Sequence, residues 1–389
     1  MRVVVIGGGA VGSSAAYHLA RDPTFHGSVT VIERDPTYRI ASSSLSASSI
    51  RQQFSTPVCI HMSRYGREFL EQGADLLAVD GDRPALGYRE RGYLFLASAA
   101  GAGILRENYA VQLANGADIG LLSPAEIRTR FPWISTDGIA LGALGLSGEG
   151  WFDGPALLAA LRRKARALGV RYVAQDATGL VREGARVRAV RLANGEEIAC
   201  DVAVNAGGPW AARVAVFAGI DLPVRARKRM IYVIQCREKL EGAPLVIDPE
   251  GIFFRPEGAG FICGRSPGEG EPDPDEPPLE VEEAMFHERV WPVLAARVPA
   301  FEALKLAGAW AGYYEYNTFD QNGVVGAHPV CPNLIHAAGF SGHGIQHSPA
   351  TGRGVAELIQ HGAYATLDLS PLGFERIIAG QPLVERNIV

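Results

Sequence analysis

The first 33 residues of the chain alternate short apolar runs with a helical pattern. Residues 3–6 form a continuous apolar run, which is typical of a buried parallel strand. A glycine turn at 7–12 and a helical pattern over 13–20 follow, and a second apolar run at 29–32 ends at Glu33. This order predicts strand, turn, helix and strand within about 30 residues, the size of one β-α-β unit.

Apolar periodicity predicts further elements along the rest of the chain. We expect a helix from Pro57, a helix over 155–168 and one around 349–361, and strands over 88–97, 170–173, 202–204, 230–234, 252–255, 260–264 and 334–338. Residues 40–56 are a serine-rich loop. Residues 267–278 are rich in Pro, Glu, Asp and Gly, which predicts a solvated loop without a function.

The α/β pattern is interrupted twice and then returns, which predicts two lobes. The first would be a discontinuous nucleotide-binding domain, and the second a substrate domain with a mixed β-sheet, so the fold class is α/β with an α+β second lobe. The predicted bounds are 1–84, 146–221 and 321–366 for the first domain, 85–145 and 222–320 for the second, and 367–389 for a C-terminal tail.

Composition narrows the protein class. Charged residues make up 20% of the 389 residues and the net charge is -5, so no basic field exists to hold nucleic acid or an acidic membrane. The five cysteines are an odd number without a C-x-x-C pair, which favours a reducing compartment over disulfides or a zinc site. Residues 3–20 lack a cleavage site and no apolar run is long enough to span a bilayer, so we expect a cytoplasmic protein without a metal.

The glycine turn has the chemistry of a dinucleotide site. Gly7 permits the tight turn, Gly9 lets the backbone approach a pyrophosphate, and Gly12 lets the helix pack on the strand. The helix N-terminus favours phosphate, and Glu33 can accept both ribose hydroxyls. A doubly wound sheet without a ligand is the alternative. Further glycine turns after strands at 207–208 and 339–344 favour FAD over NAD.

Several stretches resemble the family of FAD-dependent amine and amino-acid oxidoreductases, which includes sarcosine oxidase, dimethylglycine dehydrogenase, glycine oxidase and D-amino-acid oxidase. The matching stretches are the glycine turn and residues 48–54, 92–97, 205–210 and 339–344. Residues 310–326 and 368–371 are similar to a mitochondrial member that is linked to assembly of respiratory complex I. The resemblance covers nearly the whole chain.

The resemblance implies a p-hydroxybenzoate-hydroxylase-like fold with a Rossmann-like FAD domain. It implies oxidation of the C–N bond of a secondary amine or an N-substituted or D-amino acid, by hydride transfer to flavin N5. Tyr314 replaces the cysteine that attaches flavin in monomeric sarcosine oxidase, and the serine-rich loop has no histidine, so we expect noncovalent FAD. The cofactor-binding residues expected from the motif and the resemblance are Gly7, Gly9, Ala10, Val11, Gly12, Glu33, Arg34, Ser42, Ser43, Ser44, Ala177, Gly207, Gly208, Trp210, Gly339, Gly342, His343, Gly344 and Ile345.

Four residues match catalytic positions of the family. Arg51 would grip the substrate carboxylate, because a guanidinium fork suits a carboxylate. Tyr316 would line the substrate pocket, and His343 would help to hold negative charge on reduced flavin. Gln346 stands where sarcosine oxidase has a second carboxylate-binding lysine. The structural alternatives are a paired arginine, a core tyrosine and a structural histidine.

The sequence is compatible with more than one electron acceptor and more than one function. Ile262 stands where the family has the lysine that promotes reaction with oxygen, which favours a dehydrogenase with another, unknown acceptor. The alternatives to an amine dehydrogenase are a flavoprotein that acts mainly as an assembly partner and an enzyme that oxidises a 2-hydroxy acid.

Overall fold

The computed structural model describes residues 1–268 and 270–387, and two large sheets organise them. The strands are β1 Arg2–Ile6, β2 Ser28–Glu33, β3 Ser49–Ile50, β4 Arg89–Glu90, β5 Tyr93–Ala97, β6 Ile119–Leu122, β7 Leu141–Gly145, β8 Gly150–Trp151, β9 Arg171–Ala174, β10 Ala177–Glu183, β11 Arg186–Leu192, β12 Glu197–Ala199, β13 Val202–Asn205, β14 Val224–Gln235, β15 Leu245–Ile247, β16 Ile252–Glu257, β17 Gly260–Arg265, β18 Lys305–Asn317, β19 Val324–His328 and β20 Cys331–Ala338. The α-helices are α1 Ala10–Arg21, α2 Ser42–Leu45, α3 Pro57–Leu76, α4 Ala102–Ala114, α5 Pro124–Arg130, α6 Gly154–Ala167, α7 Ala211–Val216, α8 Glu283–Met285, α9 Trp291–Arg297, α10 Gly344–His361 and α11 Glu375–Ile378.

The first sheet has six strands in the order β19-β20-β13-β1-β2-β9. β1 pairs in parallel with β2 and β13, and β13 with β20, so the carboxyl ends of these strands share one edge. Residues 3–5 of β1 are buried, because helices α1 and α10 pack on one face of the sheet while β11 and α7 pack on the other. This arrangement confirms the predicted Rossmann-like lobe.

The second sheet has eight strands in the order β18-β14-β17-β16-β15-β5-β7-β6 and is mixed. β14 and β18 form its longest antiparallel pair, whereas β5 and β15 run in parallel. One face packs on a core that includes Phe254, Phe261 and Phe301. The other approaches the first lobe, where the indole of Trp310 donates to the Leu45 carbonyl oxygen at 2.8 Å. The mixed second sheet was also predicted, whereas the domain bounds remain a prediction.

Two element predictions were wrong in detail. Helix α10 begins at Gly344 rather than near residue 349, because Pro349 lies inside the helix and the Ser348 hydroxyl donates to the Ile345 carbonyl oxygen that proline leaves without its N–H partner. The predicted strand over 88–97 is interrupted at Gly92. Its positive φ of 82° and its N–H bond to the Glu149 carbonyl break the ladder between β4 and β5.

The acidic loop is tied to the protein by ion pairs, unlike the solvated loop that its composition predicts. Asp273 pairs with Arg229, and Glu271 pairs with Arg265 through both carboxylate oxygens. Asp275 pairs with Arg227 of β14. Glu269, within the predicted loop, lies outside the described residues.

The predicted C-terminal tail returns to the body of the protein as far as Asn387. Glu385 is 1% exposed, and its carboxylate accepts hydrogen bonds from the backbone and hydroxyl groups of Ser55 and Thr56. Residues 388–389 of the predicted tail lie outside the described residues. Among the helices that the structure describes, none combines the length and apolar character needed to cross a bilayer.

The packing of α1 on β1 gives the first prediction. A Cβ atom added at Gly12 would collide with the Gly7 carbonyl oxygen. We expect Gly12→Ala to lower the free energy of unfolding by about 1–3 kcal/mol or more, because a packed core resists added volume. The urea midpoint of the apoprotein measures the change.

Gly103→Ala is the matched control, because an added Cβ there has open space and Gly103 is an exposed position of helix α4. It should leave the midpoint unchanged or raise it slightly. Equal midpoints for Gly12→Ala and the native protein would contradict the packing account.

Candidate active site

Two cavities lie along the carboxyl edge of the first sheet. The cavity of about 390 Å³ beside the glycine turn is called the turn cavity here. The second, of about 180 Å³, lies between the two sheets and is called the Arg51 cavity. Residues that line both join them, namely Ala10, Val11, Ser42, Ser43 and Glu315.

The glycine turn brings backbone to the wall of the turn cavity. Gly7 has a positive φ of 100°, and a Cβ atom there would collide with the Ala206 carbonyl oxygen. Gly9 lines the cavity with Ala10, whose N–H donates to the Ser43 hydroxyl oxygen at 3.0 Å. The N-terminus of α1 and the Ser43 hydroxyl therefore meet at one point, which suits an anionic group.

Glu33 ends β2 in the wall of the turn cavity. One carboxylate oxygen accepts the Gly8 N–H at 2.8 Å and the other accepts the Asp35 N–H at 2.9 Å. Burial is the larger effect and raises the pKa of this carboxyl. The guanidinium of Arg34 lies 3.6 Å over the Trp210 ring, and both residues line the same cavity.

Most of the remaining predicted cofactor residues also line the cavities. Ala177, Gly207 and Gly208 line the turn cavity, and Gly342, His343, Gly344 and Ile345 line the Arg51 cavity. Three predicted residues do not line either cavity: Gly12, Ser44 and Gly339. Gly12 faces the Gly7 carbonyl, and Gly339 donates its N–H to Glu315 at 3.1 Å, so these glycines position the walls.

Arg51 lines the second cavity and is 5% exposed. Its guanidinium donates to the backbone carbonyl oxygens of Gln53, at 2.6 Å, and Asn387, and it lies 4.1 Å from the Phe54 ring centre. No ion pair joins Arg51 to an acid in the described part of the chain. A buried cation without a carboxylate partner is a natural site for an anionic ligand.

Two side chains from distant parts of the chain position Arg51. Gln346 of α10 accepts the Arg51 N–H at 2.8 Å, so it acts on the backbone of Arg51 and also lines the cavity. Buried Glu149 accepts the backbone N–H groups of Gln52 and Gln53 at 2.6 and 3.0 Å, and the Gln53 side-chain amide at 2.8 Å. Burial raises the pKa of Glu149 to about 7 against these hydrogen bonds.

His343 is buried in the wall of the Arg51 cavity beside His347 and Phe54. Among the described residues, neither ring nitrogen of His343 has a hydrogen-bond partner. Burial, with the neighbouring charges of His347 and Arg51, lowers its pKa well below the ordinary value. The ring is therefore neutral at physiological pH. It could stabilise negative charge on a reduced flavin only by donating one N–H.

Tyr316 is not among the residues that line either cavity, contrary to the prediction, and Tyr314 takes that place. The two tyrosines point to the same side of β18, but Tyr316 lies about 7 Å further along the strand and so beyond the cavity. It contacts Arg227 instead, with 5.9 Å between the guanidinium and the ring centre.

Ile262 is also absent from the cavity walls, where Arg265 of the same strand appears. Ile262 is 2% exposed and pairs with Val233 and Arg255 inside the second sheet. The expectation of slow reaction with oxygen therefore cannot rest on Ile262.

Sequence reasoning missed Glu315 and Arg229, which both line the Arg51 cavity. Arg229 is held by Asp273 and lies 4.9 Å from the Tyr314 ring centre. A single acid within the aromatic strand Tyr-Tyr-Glu-Tyr was the signal available for Glu315.

The cavities fit an FAD molecule laid across their junction. The turn cavity offers an acid and a close backbone approach for a ribose and a pyrophosphate, and the Arg51 cavity is largely apolar with glycine backbone in its wall. At Gly344, a Cβ atom would come within 2.6 Å of the Glu315 carboxyl, so the wall has no room for a side chain there.

The chain belongs to the family of FAD-dependent oxidoreductases, because residues 2–358 match the sequence pattern of that family. It is therefore an enzyme whose cofactor is FAD.

Individual relatives agree with this assignment. The chain is 46% identical to FAD-dependent oxidoreductase domain-containing protein 1 of Xenopus laevis, over 100% of this chain and 84% of that protein. It is 26% identical to mitochondrial sarcosine dehydrogenase of Mus musculus, over 92% of this chain but 40% of that protein. Among solved structures, L-proline dehydrogenase from P. horikoshii is similar with a TM-score of 0.84 and 26% identity, covering 98% of both chains.

The position of Arg51 gives a second prediction. In Glu149→Gln, an amide N–H₂ group would replace one of the oxygens that accept three N–H groups from Gln52 and Gln53. We expect the free energy of unfolding to fall by about 1–3 kcal/mol, the cost of an unsatisfied buried donor. Urea denaturation measures it.

Glu68→Gln is the control, because the side chain of Glu68 is 55% exposed on α3. It should change stability by less than about 0.5 kcal/mol. If both variants were equally stable, Glu149 would have no role in fixing the Arg51 segment.

Proposed function

We propose that this enzyme oxidises the C–N bond of a secondary amine or an N-substituted or D-amino acid, and that Arg51 binds the substrate carboxylate. The observation that carries the proposal is the buried Arg51 guanidinium, which meets backbone carbonyls and Phe54 but no acid among the described residues. A substrate carboxylate would supply the missing counter-charge and two strong hydrogen bonds.

The names of two relatives support this substrate class. Sarcosine and L-proline, in the names of the mouse and P. horikoshii dehydrogenases, are both secondary amines that carry a carboxylate.

The chain's own residues would bind and orient such a substrate. Tyr93, Leu245, Ile247 and Phe253 form an apolar wall that would hold the carbon skeleton and exclude water. Neutral His343 adds no second positive charge beside Arg51, so the carboxylate would have one preferred position. Bound FAD would supply the hydride acceptor at its N5 atom.

The proposed reaction is that of a dehydrogenase rather than a strong oxidase. No lysine is among the described residues that line the Arg51 cavity, and Arg229 is paired with Asp273. A cation without a counter-charge beside the flavin would stabilise superoxide. Because Arg229 is paired and Arg51 would be paired with the substrate carboxylate, we expect an acceptor other than oxygen. A cytoplasmic location is part of the proposal, because the cysteines are all free thiols.

Replacing Arg51 tests the carboxylate site. We expect Arg51→Gln to weaken binding of a carboxylated amine about 10–100-fold, because hydrogen bonds to a charged group are lost. Anaerobic flavin reduction at increasing substrate concentration gives the dissociation constant. The exposed Arg186→Gln is the control for net charge and should bind as the native protein does.

A useful second substrate for this test is the amide of the same amine, which lacks the carboxylate. Arg51→Gln should bind it about as well as the native protein. Equal affinity of both proteins for the carboxylated amine would overturn the proposed role of Arg51.

The acceptor is tested by reoxidation. After anaerobic reduction by dithionite, the native protein should be reoxidised much faster by an artificial electron acceptor than by air. Rapid reoxidation by air, at a rate similar to that with the artificial acceptor, would identify an oxidase instead.

A further inference from the structure

Glu315 is the only ionisable residue of the five that line both cavities. The other four bring the N-terminus of α1 and the serine residues of α2 to the junction. An FAD molecule with its adenosine in the turn cavity and its flavin in the Arg51 cavity must pass this junction. Its pyrophosphate carries negative charge, so an acid at this position needs a physical explanation.

The Glu315 carboxyl lies among glycine backbone. It accepts the Gly339 N–H at 3.1 Å, and Cβ atoms at Gly344 and Gly208 would lie 2.6 and 3.9 Å from its oxygens. Burial raises the pKa of Glu315 to about 7, while N–H groups of Gly339 and Phe340 act in the opposite direction.

The charged and titratable groups around Glu315 do not neutralise it. Across the sheet, Glu315 pairs with Ala226 of β14, and the flanking Arg225 and Arg227 pair with Asp275 instead. Its own strand contributes Tyr314, and the turn before α10 contributes neutral His343. Among the described residues, no ion pair involves Glu315.

We propose that Glu315 is a cofactor-positioning residue that contacts the middle of the FAD molecule as a protonated carboxyl and donates a hydrogen bond to it. An ionised Glu315 would repel the pyrophosphate, whereas the neutral acid offers a donor. The proton comes from solvent when FAD binds. This inference depends on FAD binding and not on the identity of the substrate.

FAD binding should depend on pH, because Glu315 must carry a proton in the complex. Below pH 7 the apoprotein already carries the proton, so FAD binding should take up little. Above pH 7 Glu315 is ionised before binding, so the affinity for FAD should fall about tenfold per pH unit while about one proton is taken up.

Calorimetric titration of the apoprotein with FAD, in two buffers of different ionisation enthalpy, counts the protons. We expect the native protein to take up about one proton at about pH 8 and markedly less at about pH 6. Glu315→Gln, which keeps the shape but cannot ionise, should take up no such proton and bind FAD with an affinity that is independent of pH.

Glu68→Gln is the control, because Glu68 is an exposed acid of α3 that is absent from both cavity walls. It should retain the proton uptake of the native protein. Absence of uptake by the native protein at about pH 8 would overturn the proposal even if Glu315→Gln did not fold. Uptake that persists in Glu315→Gln would also overturn it, because another group would then be responsible.

Discussion

The fixed position of residues 51–56 is the constraint on which the active site depends. This segment has little regular structure of its own, and buried acceptors from three distant parts of the chain hold it: Glu149, Gln346 and Glu385. Together they satisfy the backbone groups that a non-helical buried segment would otherwise leave unpaired. Their common effect is to hold the Arg51 guanidinium in the wall of the cavity between the two sheets.

The charges around the cavities follow one principle. Arg229 and Arg265 are matched by carboxylates of the acidic loop, and Arg51 is the buried guanidinium left for a ligand. At the junction of the two cavities the charges are alike and not opposite, because Glu315 is an acid where an anionic cofactor is expected. A protein can keep such a group only if it is neutral or its hydrogen bonds compensate for burial. The two sites therefore differ in the protonation that ligand binding requires.

Local patterns predicted the first lobe well, because a strand, a glycine turn and an acid at the next strand end lie within one short stretch. The resemblance also led to Arg51 and Gln346. It placed Tyr316 in the substrate pocket, where the cavity wall has Tyr314 instead, since a shift of two residues along β18 keeps the face but moves the side chain past the cavity. Glu149 and Glu385 were beyond reach, because their partners are about 97 and 330 residues away along the chain. Glu315 is not part of a recognisable sequence motif. The acidic loop is held by ion pairs with Arg227, Arg229 and Arg265, and composition alone does not show where these arginines lie.

The most direct test of the proposed function is anaerobic reduction of the bound flavin by a panel of N-methyl, cyclic and D-amino acids, with 2-hydroxy acids included and dithionite as the positive control. The account predicts that one class of carboxylated amine bleaches the visible flavin band rapidly, while 2-hydroxy acids leave it unchanged. A band that dithionite bleaches but every amine leaves intact would contradict amine oxidation, and would favour a flavoprotein that acts as a binding partner. Bleaching by a 2-hydroxy acid alone would assign the same carboxylate site to a different reaction.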